Sequence, residues 1–106
     1  MQESLDLNPE IIWPIEKFKN DFEVIELIGQ GQYGEVFSAN YKRNDNATVA
    51  VKFLKCKKAS EKLRIRDEID ILKELKHDNV IQLFGAYEDH CQFVQVLEHL
   101  RYESFF

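Results

Sequence analysis

The chain has 106 residues, of which 44% are apolar and 31% charged, and its net charge is -5. This length allows one domain at most, and the composition is that of a globular protein rather than a disordered one. The acidic balance argues against nucleic acid as a partner. No apolar run reaches membrane-spanning length and no signal pattern opens the chain, so we expect no membrane partner and a cytoplasmic location, with Cys56 and Cys91 as free thiols.

Residues 1–21 form a leader before the first predicted strand. Asn8 and Pro9 suit the start of a short helix, which Pro14 interrupts almost at once. The leader is rich in large apolar side chains, so we expect it to pack on the domain; a flexible linker is the alternative. These apolar side chains are Ile11, Ile12, Trp13, Ile15 and Phe18.

A glycine-rich run follows the first strand, which is predicted over 22–28. It contains Gly29, Gly31 and Gly34 and ends in Glu-Val. Because glycine has no Cβ and admits positive φ, such a loop can close over a bulky anion and aim backbone amides at phosphate oxygens. A triphosphate nucleotide is the candidate ligand, and an ordinary glycine-rich hairpin is the alternative.

Two more strands are predicted over 35–41 and 48–54, joined by a polar turn at 43–46. In the second of them, the period of two places Ala50 and Lys52 on one face. If that face lies under the glycine loop, the Lys52 ammonium can reach phosphate as a point charge. A dinucleotide-binding turn is excluded because an extended run follows the glycines and Val49 stands where an acidic residue is needed. A Walker loop is excluded because no Gly-Lys-Ser/Thr ends the run.

The clearest helix is predicted over 60–76, with Ser60 as its N-cap. Ile65 and Ile69 recur at helical spacing, and Ile71 widens the apolar stripe. Glu68 lies beside this stripe. A glutamate on a helix is usually a solvated surface residue, so its position alone assigns it no role.

Two further strands are predicted over 80–88 and 92–97, around the turn at Asp89 and His90. Together with the earlier elements they predict an α+β fold, a five-stranded antiparallel sheet with one major helix. The histidines at 77, 90 and 99 lack the spacing of metal ligands, so no metal site is predicted.

The fixed positions Gly29, Gly31, Gly34 and Val36 match the protein-kinase pattern G-x-G-x-x-G-x-V. The run Val-Ala-Val-Lys that ends at Lys52 matches V-A-I-K with valine for isoleucine. Over residues 22–106 the chain therefore resembles the N-terminal lobe of a eukaryotic protein kinase, of the Ser/Thr type and similar to calcium/calmodulin kinases and giant muscle kinases. The sequence of residues 96–100 resembles the kinase hinge. We therefore expect the chain to stop there, without the C-terminal lobe.

The resemblance implies ATP as the nucleotide and assigns roles within its site. Lys52 and Glu68 are implied as catalytic residues, with Glu68 holding Lys52 against the α- and β-phosphates. Val36 and Ala50 would enclose adenine, and Leu97 would be the gatekeeper. The implied nucleotide-binding residues are Ile28, Gly29, Gln30, Gly31, Gln32, Tyr33, Gly34, Glu35, Val36, Ala50, Lys52, Leu97, Glu98 and Leu100.

Neither H-R-D-x-x-x-x-N nor D-F-G occurs in the 106 residues. In kinases these motifs supply the residue that orients the acceptor hydroxyl and the ligands of Mg²⁺. We therefore expect that this chain alone does not transfer phosphate, and that Mg²⁺ binds only with a C-terminal lobe. Three interpretations stay open: the N-lobe of an active kinase, a pseudokinase lobe that binds a partner protein through its C-lobe-facing surface including Phe105 and Phe106, and a non-catalytic nucleotide sensor.

Overall fold

The computed structural model describes residues 11–31, 34–44, 47–74 and 82–99. Within these ranges, six strands form one sheet and two helices pack on it. In chain order the elements are β1 (Ile12–Pro14), α1 (Ile15–Asp21), β2 (Phe22–Gly31), β3 (Gly34–Tyr41), β4 (Ala47–Lys55), α2 (Ala59–Glu74), β5 (Leu83–Glu88) and β6 (Gln92–Glu98).

The strand order in the sheet is β1-β5-β6-β4-β3-β2. The five predicted strands are confirmed as β2 to β6, and every pair among them is antiparallel. The prediction missed β1, which lies parallel to β5 with Ile12 opposite Ala86, so the sheet is mixed and has six strands. A three-residue strand is too short to show the alternation of apolar and polar residues from which a strand is predicted.

The first face of the sheet is covered by α1. This helix begins directly after Pro14, whose extended backbone (φ -60°, ψ 146°) ends β1 and frees the helix to start with the next residue. The helix buries Ile15 and Phe18 against the sheet. The sequence did not predict α1, which begins after Pro14. Asn8 and Pro9, the expected start of a leader helix, lie outside the described residues, but that helix does not continue to Pro14, because Ile12–Pro14 form β1.

The α1 face has an aromatic centre. Phe18 stacks on Phe22 with ring centroids 5.1 Å apart, forms a T-shaped pair with Phe53 at 5.7 Å and lies tilted against Tyr87 at 5.6 Å. Around these rings lie the strand residues that the period of two turns toward α1. They include Val49, Val51, Tyr87, Val94 and Val96, with the buried Tyr41 of β3.

The opposite face of the sheet is covered by α2. Ile65 and Ile69 are buried there, together with Ala50, Leu54 and Phe93 from the strands. The expectation for Ile71 is wrong: its side chain is 60% exposed and does not belong to the stripe. Helical spacing alone cannot decide how far round a helix its buried face extends, because that depends on the width of the surface it meets.

Two polar contacts hold α2 in place. The Arg66 guanidinium reaches both carboxylate oxygens of Glu88 on β5, at 2.8 and 2.6 Å. At the helix start, the Glu61 carboxylate accepts hydrogen bonds from the backbone N–H groups of Lys57 (2.7 Å) and Lys58 (3.0 Å). The predicted N-cap was wrong, since the helix begins one residue before Ser60; the carboxylate of Glu61 satisfies the preceding amides instead. Neither described helix is long and apolar enough to cross a membrane.

Candidate functional site

Lys52 lies on β4, near the middle of the sheet. Its register partners are Val36 on β3 and Gln95 on β6. Residues directly opposite in an antiparallel pair share a face, so these three belong to the face that α2 covers. The prediction that Ala50 and Lys52 share a face agrees with this register, since Ala50 lies two residues earlier on the same strand.

A pocket of about 480 Å³ lies between the outer part of β4 and the part of α2 that runs from Glu61 to Glu68. Lys52 and Glu68 both line it, so the fold brings together the two residues that the sequence singled out as catalytic candidates. The other walls are a mixture of charged and apolar side chains. They are Leu54, Lys55, Glu61, Arg64 and Ile65.

Ile65 and Ile69 are buried against the sheet, and this orientation of α2 determines which side of the helix meets Lys52. Glu68 directly precedes Ile69, so it lies at the border of the buried stripe and remains exposed at the pocket. Glu61 lines the same pocket, but its carboxylate accepts the two backbone hydrogen bonds at the helix start, which lower its pKa. Of the two pocket carboxylates, Glu61 is thus committed to the helix start.

The apolar part of the candidate site is a cluster beside this pocket. Val36, Ala50 and Leu97 are buried together, and Ile28 of β2 packs against them as a half-buried neighbour. Ala50 and Leu97 are direct register partners across β4 and β6. The residues predicted to meet the base of a nucleotide are therefore contiguous and adjoin the pocket that holds Lys52.

The glycine run forms a hairpin between β2 and β3 that begins above this cluster, with Gly29 opposite Val36. The Gln30 side-chain amide donates a hydrogen bond to the Glu35 carboxylate at 3.2 Å across the hairpin. The tip residues Gln32 and Tyr33 lie outside the described residues.

Gly34 and Gly31 differ in what a side chain at each position would meet. Gly34 adopts φ +153°, and a Cβ there would collide with the carbonyl oxygen of Phe53 on β4. At Gly31 an added Cβ would meet nothing within 4 Å. Gly34 is thus required by the packing of the hairpin on β4, whereas the backbone at Gly31 faces open space in which a ligand has room.

The predicted hinge starts at the end of β6. The backbone N–H of Glu98 donates to the Gln82 carbonyl at 2.9 Å, and the backbone N–H of Gln82 donates to the Glu98 carboxylate at 3.2 Å. The Glu98 backbone N–H is therefore already engaged by Gln82 and is not the group that would meet a base. Leu100 lies outside the described residues.

Sequence reasoning missed several residues of this region. Gln95, opposite Lys52, is only 3% exposed although its side chain is polar. Lys55 and Arg64 add two cations to the pocket wall. The alternation of β6 counted back from Leu97 would have placed Gln95 on the buried face, but Arg64 and Lys55 carry no signal in a sequence with so many charged residues.

One group of possible metal ligands exists among the described residues: donor atoms of Asp89, His90 and Cys91 lie within 4.8 Å of one another. They occupy the turn between β5 and β6. The Asp89 carboxylate accepts hydrogen bonds from the backbone N–H groups of Cys91 (2.8 Å) and Gln92 (3.0 Å), which form the turn itself. The group is thus accounted for by the turn.

A β2–β3 glycine hairpin, a lysine on the next strand and a glutamate on the helix that follows are the parts of a kinase small lobe. Residues 22–106 match the protein kinase domain family, and the chain belongs to it. The predicted resemblance is thereby confirmed.

Three relatives illustrate the match, and all three are named as kinases. The chain is 37% identical over 87 residues to the serine/threonine-protein kinase TIO of Arabidopsis thaliana. This match covers 80% of this chain and 6% of TIO. The chain is 33% identical over 92 residues to the serine/threonine-protein kinase VIK of the same plant (84% of this chain, 20% of VIK). Smooth-muscle myosin light chain kinase of Gallus gallus is 36% identical over 83 residues (78% and 4%). The chain thus spans a fifth or less of the length of these relatives.

Proposed function

We propose that residues 22–106 form the ATP-binding small lobe of a protein kinase whose whole molecule transfers a phosphoryl group to serine or threonine. The observation that carries this proposal is the pocket that Lys52 and Glu68 line together, next to the apolar cluster of Val36, Ala50 and Leu97. Charge for the phosphates and an apolar surface for the base then lie side by side.

The donor set of the site fits ATP. Lys52 supplies a positive charge for the α- and β-phosphates, and Glu68 restrains the long lysine side chain in the position where it meets them. The hairpin of β2 and β3 covers the phosphates from above, where Gly31 leaves open space. The cluster that begins at Ile28 receives the base, and the Glu98 carbonyl accepts a hydrogen bond from it.

Phosphoryl transfer needs two further contributions, a residue that orients the acceptor hydroxyl and ligands for Mg²⁺. The 106 residues contain neither motif that provides them in kinases. We propose that this polypeptide by itself binds nucleotide and does not transfer phosphate. Phosphate transfer from labelled ATP by the purified 106-residue chain, abolished by Lys52→Met, would contradict this.

The nucleotide proposal is tested by titrating the chain with ATP and, separately, with adenosine. We expect Lys52→Met to weaken ATP binding by about tenfold or more, because it removes a charge-assisted contact to phosphate. The same variant should leave the affinity for adenosine unchanged, since adenosine has no phosphate for Lys52 to meet. Glu68→Gln should lower ATP affinity by a smaller factor, because the lysine is kept but less restrained.

Lys19→Met is the matched control, since it removes an exposed lysine from α1 on the opposite face of the sheet. Its ATP affinity should equal that of the unaltered chain. If Lys52→Met binds ATP as tightly as this control, Lys52 does not contact phosphate and the assignment of the site is wrong.

The interpretation as a binding module stays an alternative outcome of the same titration. A chain that binds neither ATP nor adenosine would favour a non-catalytic lobe that acts through a partner protein, whereas ATP binding by a whole molecule without transferase activity would favour a nucleotide sensor. Phe105 and Phe106, expected to face such a partner, lie outside the described residues. We further propose a cytoplasmic location, where a kinase meets ATP and protein substrates.

A further inference from the structure

Cys56 and Cys91 are neighbours, although 35 positions separate them in the sequence. The ladder between β4 and β6 ends with Lys55 opposite Gln92, and one step further along the same register Cys56 stands opposite Cys91. The backbone N–H of Cys56 donates to the Cys91 carbonyl at 2.8 Å, so the pairing continues through this step.

Residues opposed in this way suit a covalent bridge. Hydrogen-bonded partners across antiparallel strands have Cα atoms about 5.5 Å apart, inside the range of about 4.4–6.8 Å that disulfides span. Both cysteines follow the alternation of the α2 face, in line with Leu54 and Phe93, so their side chains leave the backbone on the same side. Cβ atoms of such partners are about 5 Å apart, so closing the bridge draws the two strand ends together by about 1 Å.

We propose that Cys56 and Cys91 are a modification site, a thiol pair that a peroxide converts into an intramolecular disulfide. The exposed Cys91 meets the oxidant first: its sulfur attacks hydrogen peroxide, forms sulfenic acid and releases one water. The Cys56 sulfur then attacks the sulfenic sulfur, the S–S bond forms and the hydroxyl leaves as a second water. Two thiols lose two protons and two electrons, and one peroxide is reduced to two waters.

Exposure decides which sulfur meets the oxidant first, and the pKa values of the two thiols affect how fast they react. Cys56 is 5% exposed within the α2 cluster, so solvent oxidants reach Cys91 rather than Cys56. Burial raises the pKa of the Cys56 thiol, and a hydrogen bond between the Cys91 thiol and the Asp89 carboxylate raises the pKa of Cys91. Because the thiolate is the form that attacks peroxide, these raised pKa values slow the first step, and we expect cross-linking to become faster as the pH of the peroxide treatment rises.

The cross-link would enclose the helix that positions the candidate site. The loop closed between Cys56 and Cys91 contains all of α2 (Ala59–Glu74), including Glu68. A bridge across a loop of this length restricts the unfolded chain more than the folded one and stabilises the fold. It also fixes the segment that leads from β4 into α2 against the start of β6.

The test treats the dilute 106-residue chain with hydrogen peroxide and records its intact mass without reductant. The monomer should lose about 2 Da, the two thiol hydrogens, and a peptide map should join the peptides that carry the two cysteines. The oxidised monomer should melt at least about 5 °C higher than the reduced one, and reductant should return the lower Tm.

Cys91→Ser is the first control, because its exposed position tolerates the change, and Cys56→Ala is the second. Neither should show the loss of mass or the rise in Tm under peroxide. The proposal is overturned if the oxidised wild-type monomer keeps both thiols open to alkylation, if it gains oxygen without cross-linking, or if its disulfide joins two chains through Cys91.

Discussion

Replacement of Phe18 by alanine tests whether the segment before residue 22 is part of the folded domain. Phe18 belongs to α1, outside the residues that match the kinase family, yet only 4% of it is exposed. Its ring meets the rings of Phe22, Phe53 and Tyr87 at centroid distances between 5.1 and 5.7 Å. A free linker would make none of these contacts.

The expected cost follows from these contacts. Truncation of a buried phenylalanine to alanine removes apolar burial and leaves a cavity, which together cost about 3–5 kcal/mol. The three aromatic contacts place Phe18→Ala toward the upper part of that range, since ring pairs contribute beyond their area. Small domains are stable by about 5–15 kcal/mol, so the variant should lose a large share of its stability.

Urea unfolding followed by circular dichroism measures this loss. The midpoint should fall while the slope of the free energy against urea stays the same, which indicates that the folded state is intact but less stable. Lys19→Ala, an exposed neighbour on the same helix, should change the free energy of unfolding by less than about 0.5 kcal/mol. A loss below about 1 kcal/mol for Phe18→Ala would refute the assignment of α1 to the core.

Two further changes probe single atoms of the fold. The Tyr87 hydroxyl is buried without a hydrogen-bond partner in the described part of the chain. Tyr87→Phe should therefore leave the free energy of unfolding unchanged or raise it by about 1 kcal/mol. If urea unfolding shows that the variant is less stable by more than about 1 kcal/mol, the hydroxyl has a partner. Gly34→Ala should cost at least about 1–3 kcal/mol because a Cβ collides with the Phe53 carbonyl oxygen, whereas Gly31→Ala should cost less than about 1 kcal/mol; equal thermal stability of the two variants would contradict this difference.

Much of the fold could be predicted from the sequence because its signals are local. The alternation around Ala50 and Lys52 gave the strand and its face, and the spacing of Ile65 and Ile69 gave the buried side of α2. These signals need only the geometry of one element, so they hold whatever the rest of the chain does.

The leader could not be predicted in the same way. A strand of three residues and a helix of seven lie on either side of the junction at Pro14, and each is too short to show its period. Their stability comes from partners far along the chain, such as Ala86 beside Ile12 and Tyr87 beside Phe18. The sequence indicated that the leader was apolar but gave no indication of which surface would receive it.

The candidate site also combines residues that a local motif predicts with features that depend on partners far along the chain. Lys52 and Glu68 came from a motif, and the fold brings them to one pocket. The proximity of Cys56 and Cys91 and the engagement of the Glu98 amide by Gln82 depend on strand register, which fixes partners at a distance. No pattern within either stretch contains that information.

The two borders of the sheet differ in how they protect the chain from aggregation. Beyond β5, the short β1 ends the sheet with Pro14, which has no N–H to offer another strand. At the other border, β2 is ten residues long and exposes Val24, Ile25 and Leu27, the features that invite strand addition.

Protection of the β2 border comes from shape and charge. The pairing of β2 with β3 slips twice, between Val24 and Glu26 and between Leu27 and Gly29, so the outer strand does not present an even row of donors and acceptors. Glu23 and Glu26 add exposed negative charge beside the apolar residues. Neutral residues at these two positions would leave the apolar strand without its electrostatic barrier, and fibrils of this chain would be expected to begin there.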